Sequence, residues 1–196
     1  MIFCLANRTD ALNIAKIHKA EISQGFLSTL KLTFLKNLYL AIIESKYSFC
    51  VVAKEQDTVV GFISGVTDIN KLYFYFLQKY FFQSFFLLCK KIFSVSYVKK
   101  VFEILLYPIK EKKLPPAELL TMAVSRQLQG QGIASRIFLE FTSEMKRRNI
   151  ESFKVLVGEE LASAIHFYEK SGFYFLKNTS VHGGKSSRIY IYDLAK

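Results

Sequence analysis

Six residues, Gln129-Gly130-Gln131-Gly132-Ile133-Ala134, constrain this chain more than any others. They follow a strand-like apolar run, Leu119 to Val124, and open a helix-like run that ends near Arg148. Strand, glycine-rich turn and helix start together make one physical device. Two glycines let the backbone turn tightly and approach a ligand without side-chain obstruction. The first amides of a helix have no partners within it, and with the helix dipole they make a site suited to a pyrophosphate. Spacing separates this device from its relatives. A dinucleotide fingerprint needs a third glycine where Ser135 stands and an acid closing the next strand, whereas the strand candidate Phe153 to Val157 is led by Glu151. A P-loop needs Lys directly after its last glycine, and Gly132 is followed by Ile133.

The six residues do match, at every fixed position, the pattern Gln/Arg-x-x-Gly-x-Gly/Ala of the GCN5-related N-acetyltransferase (GNAT) superfamily. Two further pieces agree in order and spacing. Ala117 through Val124 resembles the family's fourth strand. Ala164-Ile165-His166-Phe167-Tyr168-Glu169-Lys170-Ser171-Gly172-Phe173 resembles its second signature, a helix carrying Tyr and then Gly-Phe into a strand. The likeness covers residues 117–194, with a looser one over 1–67.

The resemblance implies an α/β fold with a mixed, mostly antiparallel sheet of six to seven strands flanked by helices. It implies acetyl-CoA as co-substrate and transfer of its acetyl group to an amine. The backbone of Met122, Ala123 and Val124 would pair with the pantetheine arm, one of its amides holding the thioester oxygen. Gln129, Gly130, Gln131, Gly132, Ile133, Ala134 and Ser135 would hold the pyrophosphate, and Tyr168 would protonate the departing thiolate. Gly25, Phe26 and Leu27 would border the acceptor. Three positions depart from the family pattern: Arg126 stands for a common Pro, Leu161 for a common Asn, and Leu156 for the fifth-strand Glu that serves many protein N-terminal acetyltransferases as base. The base is then sought elsewhere: Glu118 at the start of the fourth strand, Glu21 near the acceptor loop, or His182 in the last loop. Water chains serve some members instead.

Chain length and composition suit one α/β domain over 1–196 with an insertion at 70–113: 196 residues, 51% hydrophobic. A net charge of +11 favours polyanionic partners, whether nucleic acid, an anionic membrane or a phosphorylated small molecule. The basic residues are scattered and carry no nucleic-acid motif, so nucleic acid is not expected. Cys4, Cys50 and Cys89 show no ligand spacing; they read as small buried hydrophobes in a reducing compartment, without a metal. The N-terminus has no signal-peptide pattern, and a cytoplasmic protein is expected.

Hydrophobic periodicity gives the elements. Ile2 to Ala6 reads as a strand. A helix capped by Thr9 or Asp10 follows, and a second runs over 28–45 with Leu30, Phe34, Leu38 and Ile42 as its stripe. Tyr47 to Ala53 and Val59 to Val66 read as a hairpin turning at 54–58, where Gly61 and Gly65 mark a bulge or a close approach. Two helical runs follow, Leu72 to Cys89 and Ile92 to Tyr107. They read as a cap over the core, a homodimer interface or a membrane-surface pair, since Lys79, Lys90 and Lys91 oppose a membrane span. The central helix, 130–148, buries Ile133, Ile137, Phe138, Phe141 and Met145 and turns Glu140, Glu144, Lys146 and Arg147 to water. A helix over 161–171 closed by Gly172, a strand from Phe173 to Leu176, a polar loop over 178–187 and a closing strand from Arg188 to Leu194 complete the chain.

The acceptor is expected to be an amino sugar, free or carried on a nucleotide or lipid. The N-terminal half and the aromatic-basic insertion resemble acetyltransferases of bacterial surface-polysaccharide gene clusters, and the positive charge suits a diphosphate. The alternatives are a protein or peptide N-acetyltransferase and a non-catalytic acyl-CoA-binding or membrane-docking module.

Overall fold

A computed structural model describes residues 1–23, 27–89, 114–181 and 185–195. Its strands are β1 (Ile2–Leu5), β2 (Ser48–Glu55), β3 (Thr58–Val66), β4 (Glu118–Val124), β5 (Ser152–Gly158), β6 (Tyr174–Val181) and β7 (Lys185–Asp193). They form one sheet in the order β1-β2-β3-β4-β5-β7-β6. Each neighbouring pair is antiparallel except β4 with β5. The helices among the described residues are α1 (Ala11–Glu21), α2 (Leu32–Glu44), α3 (Ile69–Cys89), α4 (Ile133–Arg147) and α5 (Ala162–Lys170). This is the mixed α/β architecture that the sequence implied.

The sheet separates two cores. On one face α1, α2 and the start of α3 pack on Cys50, Val52, Phe62 and Val66. On the other, α4 and α5 pack on Phe49, Val51, Ile63, Leu119, Phe153 and Val155. Alternation along each strand sends successive side chains to opposite cores. Gly65 lets α4 lie close: a Cβ there would sit 2.5 Å from the Phe141 ring. Both glycines also stand at register shifts: beside Gly61 the extra residue is Val60 of β3, and at Gly65 it is Leu120 of the neighbouring β4. The described part of α3 docks on α2 through the part-buried Glu44. That carboxylate is ion-paired to Arg8 and to Lys79 and accepts a hydrogen bond from the Tyr80 hydroxyl at 2.8 Å.

Several local expectations change. The N-terminal cap comes one turn earlier than Thr9 or Asp10. Asn7 accepts from the Thr9 amide while Asp10 accepts from the Asn7 amide, capping a short 3-10 turn ahead of α1. The second helix is split into a 3-10 turn at Leu27–Thr29 and α2, and its buried face is Leu35, Tyr39 and Ile42, with Phe34 and Leu38 only part-buried. The hairpin turn shrinks to Gln56 and Asp57, whose left-handed φ values of 46° and 66° match a two-residue turn. Glu144 does not face water: it is buried and held by Arg147 and Arg148. The 178–187 stretch is largely strand, because β6 runs to Val181 and β7 begins at Lys185. β7 lies between β5 and β6, so β6 is the edge. Periodicity shows which face of a strand is apolar but not which neighbour it finds. The helical run from Ile92 to Tyr107 lies outside the described residues.

Candidate active site

The site begins where the one parallel pairing fails. β4 and β5 share only the register pairs Glu118–Lys154 and Leu119–Val155. Beyond these the strands part, leaving Leu120 to Val124 and Leu156 to Gly158 facing a widening cleft. At the same place Ser64 of β3 pairs with Thr121 and Gly65 with Leu119, so Leu120 is an extra residue, a bulge in β4. The Thr121 carbonyl accepts a hydrogen bond from Ser64 Oγ at 3.3 Å, on the β3 side. In a trans peptide the C=O and N–H point in opposite directions, so the Met122 amide is turned towards the cleft. Met122, Ala123 and Val124 therefore offer main-chain groups along the cleft wall.

At the cleft's mouth a loop leads from β4 into α4. Gly130 and Gly132 have φ of +77° and +76°, a region that strains residues with a Cβ, and a Cβ on either would meet nothing within 4 Å. The first helical bond runs from the Arg136 amide to the Gly132 carbonyl at 3.2 Å. The amides of Ile133, Ala134 and Ser135 precede it and have no partner within the helix. The Gln129 side chain turns inward, donating from Nε2 to the Val124 carbonyl at 2.9 Å, and so ties the loop to the strand. Glu21, at the end of α1, accepts from the Arg126 amide at 3.0 Å. Its carboxylate is thereby a tether for the loop.

The remaining expected residues lie apart. Glu118 leaves the sheet on the face opposite α4, because its neighbour Leu119 is in the α4 core. It is 7% exposed, and Lys154 Nζ lies 3.5 Å from its Oε2. That ammonium donates to the Pro115 carbonyl at 2.5 Å, and among the described residues Glu118 Oε2 has no hydrogen-bond partner. Burial raises the carboxyl's pKa against the opposing pull of Lys154. A carboxyl shifted in this direction is a stronger base than an exposed one. Tyr168, on α5 and 8% exposed, packs against Phe173 at 5.1 Å. Burial pushes its phenol well above the usual tyrosine range, so it stays protonated. Gly172 (φ +98°) closes α5 as expected: its own amide and that of Phe173 bond to the carbonyls of Glu169 and Tyr168. Leu161 precedes the helix without a side-chain cap. Leu156 lies on β5 opposite Ile189, an apolar site where a carboxylate was sought. Leu27 packs beside the α1–α2 core. Gly25, Phe26 and His182 lie outside the described residues.

Residues 19–173 match the profile of the Acetyltransferase (GNAT) family. This chain belongs to the GNAT family. No curated protein matches its sequence. Solved structures of the same fold include the ribosomal-protein-S18-alanine N-acetyltransferase from Escherichia coli, 13% identical over 98% of this chain and 93% of that one, with a TM-score of 0.61. A spermidine N-acetyltransferase chimera from Vibrio cholerae and hSSAT is 13% identical over 99% and 95%, with a TM-score of 0.62. An acetyltransferase from Salmonella typhimurium, solved with its cofactor acetyl-CoA, is 12% identical over 100% and 95%, with a TM-score of 0.63. At such identities these likenesses establish the fold.

As a GNAT protein the chain is an acetyltransferase that uses acetyl-CoA, and its loop fits that co-substrate. Two left-handed glycines, three helix-start amides and an open outer surface suit a diphosphate, while an open strand edge suits an extended arm. Among the described residues no three His, Cys, Asp or Glu side chains gather to hold a metal, and no described helix is long and apolar enough to cross a membrane. Sequence reasoning missed four buried polar residues on the α1–α2 side of the sheet: His18, Tyr39, Ser64 and Lys154. The available signs were a histidine on the apolar stripe of α1 and a lysine inside the run from Phe153 to Val157.

Proposed function

We propose that the chain N-acetylates an amino sugar carried on a nucleotide or lipid diphosphate, by direct attack of the amine on acetyl-CoA. The observation that carries the reading is the cleft's two-sided construction. Main-chain groups line the α4 side, and a buried, underpartnered carboxylate stands on the other. Acetyl-CoA supplies an activated acyl thioester. The loop from Gln129 to Ser135 binds its pyrophosphate, the edge from Met122 to Val124 aligns the arm, and the Met122 amide polarises the carbonyl. Glu118 takes the proton from the amine, and Tyr168 gives one to the sulfur. Holding both reactants in line contributes roughly 7–11 kcal/mol in favourable cases.

Of the three base candidates Glu118 is favoured, because Glu21 is already tied to the Arg126 amide and Glu118 alone of the two is buried. The charge of +11 supports an anionic acceptor and opposes a polyamine. The apolar Leu156 opposes a protein N-terminal substrate by resemblance. A lipid-carried acceptor also suits the exposed Phe74 and Leu77 of α3. The test measures acetyl-CoA consumption with nucleotide-linked amino sugars, free amino sugars, peptide amines and spermidine. The reading expects the highest kcat/KM with the diphosphate-linked sugar. Turnover with peptides alone would replace it with the peptide reading.

A further inference from the structure

A polar column crosses the otherwise apolar layer between α1, α2 and the sheet. His18 and Tyr39 are each 1% exposed, among Ile14, Leu35, Ile42 and Phe62. His18 Nδ1 lies 2.6 Å from the Tyr39 hydroxyl, and the rings meet edge-on at 5.8 Å. On the same face the Tyr39 hydroxyl comes close to the side chain of Thr121, whose neighbours Leu120 and Ala123 pack against the core that holds Tyr39. Burial lowers the His18 pKa to about 4 and raises that of Tyr39, so at neutral pH the column carries no charge. His18 Nε2 has no hydrogen-bond partner among the described residues. Leu and Phe at these positions would fill the layer without burying an unpaired polar atom, so stability alone does not account for the column.

What it reaches is the first residue after the β4 bulge. Here the strand has lost its β5 partner, and its backbone needs another restraint. Ser64 holds the Thr121 carbonyl from the β3 side, and Tyr39 approaches the Thr121 side chain from the helix side. We propose that His18 and Tyr39 are positioning residues which, acting through Thr121, fix the direction of the Met122 amide that polarises the thioester carbonyl. The proposal rests on the function proposed above. It adds that a side-chain column on the α1–α2 side supports the donor's alignment where β4 is laddered to β3 alone. A donor held in place before reaction need not reorient as charge develops on the oxygen.

The test reads the carbonyl stretch of carbonyl-13C acetyl-CoA bound to the full chain, with affinity measured by calorimetry. The native protein should lower the carbonyl frequency relative to free acetyl-CoA. Tyr39→Phe and His18→Leu should return it towards the free value and lower kcat about tenfold, while Kd and KM for acetyl-CoA change by less than about twofold. His18→Asn places an amide oxygen near Nδ1 and should restore most of the shift. An unchanged carbonyl frequency in Tyr39→Phe would overturn the proposal. So would a shift lost only together with affinity and melting temperature, since that marks a purely structural role. Native protein that binds acetyl-CoA without any shift removes the amide's role and the column's with it, whereas failure to bind removes the function reading itself.

Discussion

The two faces of the sheet are built on different principles. The α4 face is a continuous aromatic core: Phe138 meets Phe141, Phe167, Phe173 and Tyr192, and Phe153 meets Phe141, Phe173 and Tyr192, all with centroids within 6.4 Å. The α1–α2 face is comparably buried but is threaded by His18, Tyr39, Ser64, Glu118 and Lys154. The first face sets one helix terminus against one strand end, and the polar groups it offers there are backbone amides. The second buries charged and neutral polar side chains, the feature on which the proposed acceptor chemistry rests. A coenzyme common to a whole family needs only a shape. An acceptor particular to one member needs side chains.

The comparison breaks first at Glu118. Glu118→Gln should lower kcat by roughly 10²–10⁴-fold while leaving acetyl-CoA affinity unchanged, the usual range for a lost general base; steady-state kinetics with calorimetry would show a mere strand-end charge by an unchanged kcat. In the native protein kcat/KM should rise with pH through a limb above the ordinary carboxylate value of 4.5, because burial raises the pKa. The linked stability has the opposite sign. The folded pKa lies above the unfolded one, so Glu118's contribution is complete below about 4.5 and is lost as pH climbs through the folded value.

Gly65→Ala tests the other face. Its Cβ would meet the buried Phe141 ring at 2.5 Å and Met145 at 3.1 Å. Overpacking of this kind costs about 1–3 kcal/mol, read as a lower melting temperature. A native melting temperature would mean that α4 slides easily on β3. Gly132→Ala alters neither core but strains a left-handed position by about 1–2 kcal/mol. It should weaken acetyl-CoA binding about tenfold and lower the melting temperature by a few degrees; unchanged calorimetry would detach the loop from the pyrophosphate. The smallest effect belongs to Glu21→Gln, which keeps an oxygen to accept from the Arg126 amide. Its kcat should stay within about twofold of native, and a fall as large as that expected for Glu118 would move the base to α1.

Legibility followed the same division. The loop from Gln129 to Ser135, the strand before it and the helix after it were readable because turn chemistry and helix ends are local. Likewise the closing of α5 at Gly172 followed from its neighbours in the chain. The buried side of Glu144 was not readable, since a carboxylate at that helical phase faces solvent unless a partner reaches it, and Arg148 does so only because the C-terminus of α4 lies on β2. There Arg148 also donates to the Lys46 and Ser48 carbonyls. Nor was the place of β7 between β5 and β6 readable, because strand order is a matter of long-range pairing.

By itself the sequence determined an α/β chain with a glycine-rich turn between a strand and a helix, since glycine placement and apolar period act over a few neighbouring residues. Tertiary structure decided which of Glu118 and Glu21 is buried, where β4 leaves β5, and that a histidine of α1 meets a tyrosine 21 positions further along the chain inside an apolar layer. Burial and strand pairing join residues far apart in the chain, and desolvation, which sets the chemistry of a carboxylate, exists only once those residues have come together.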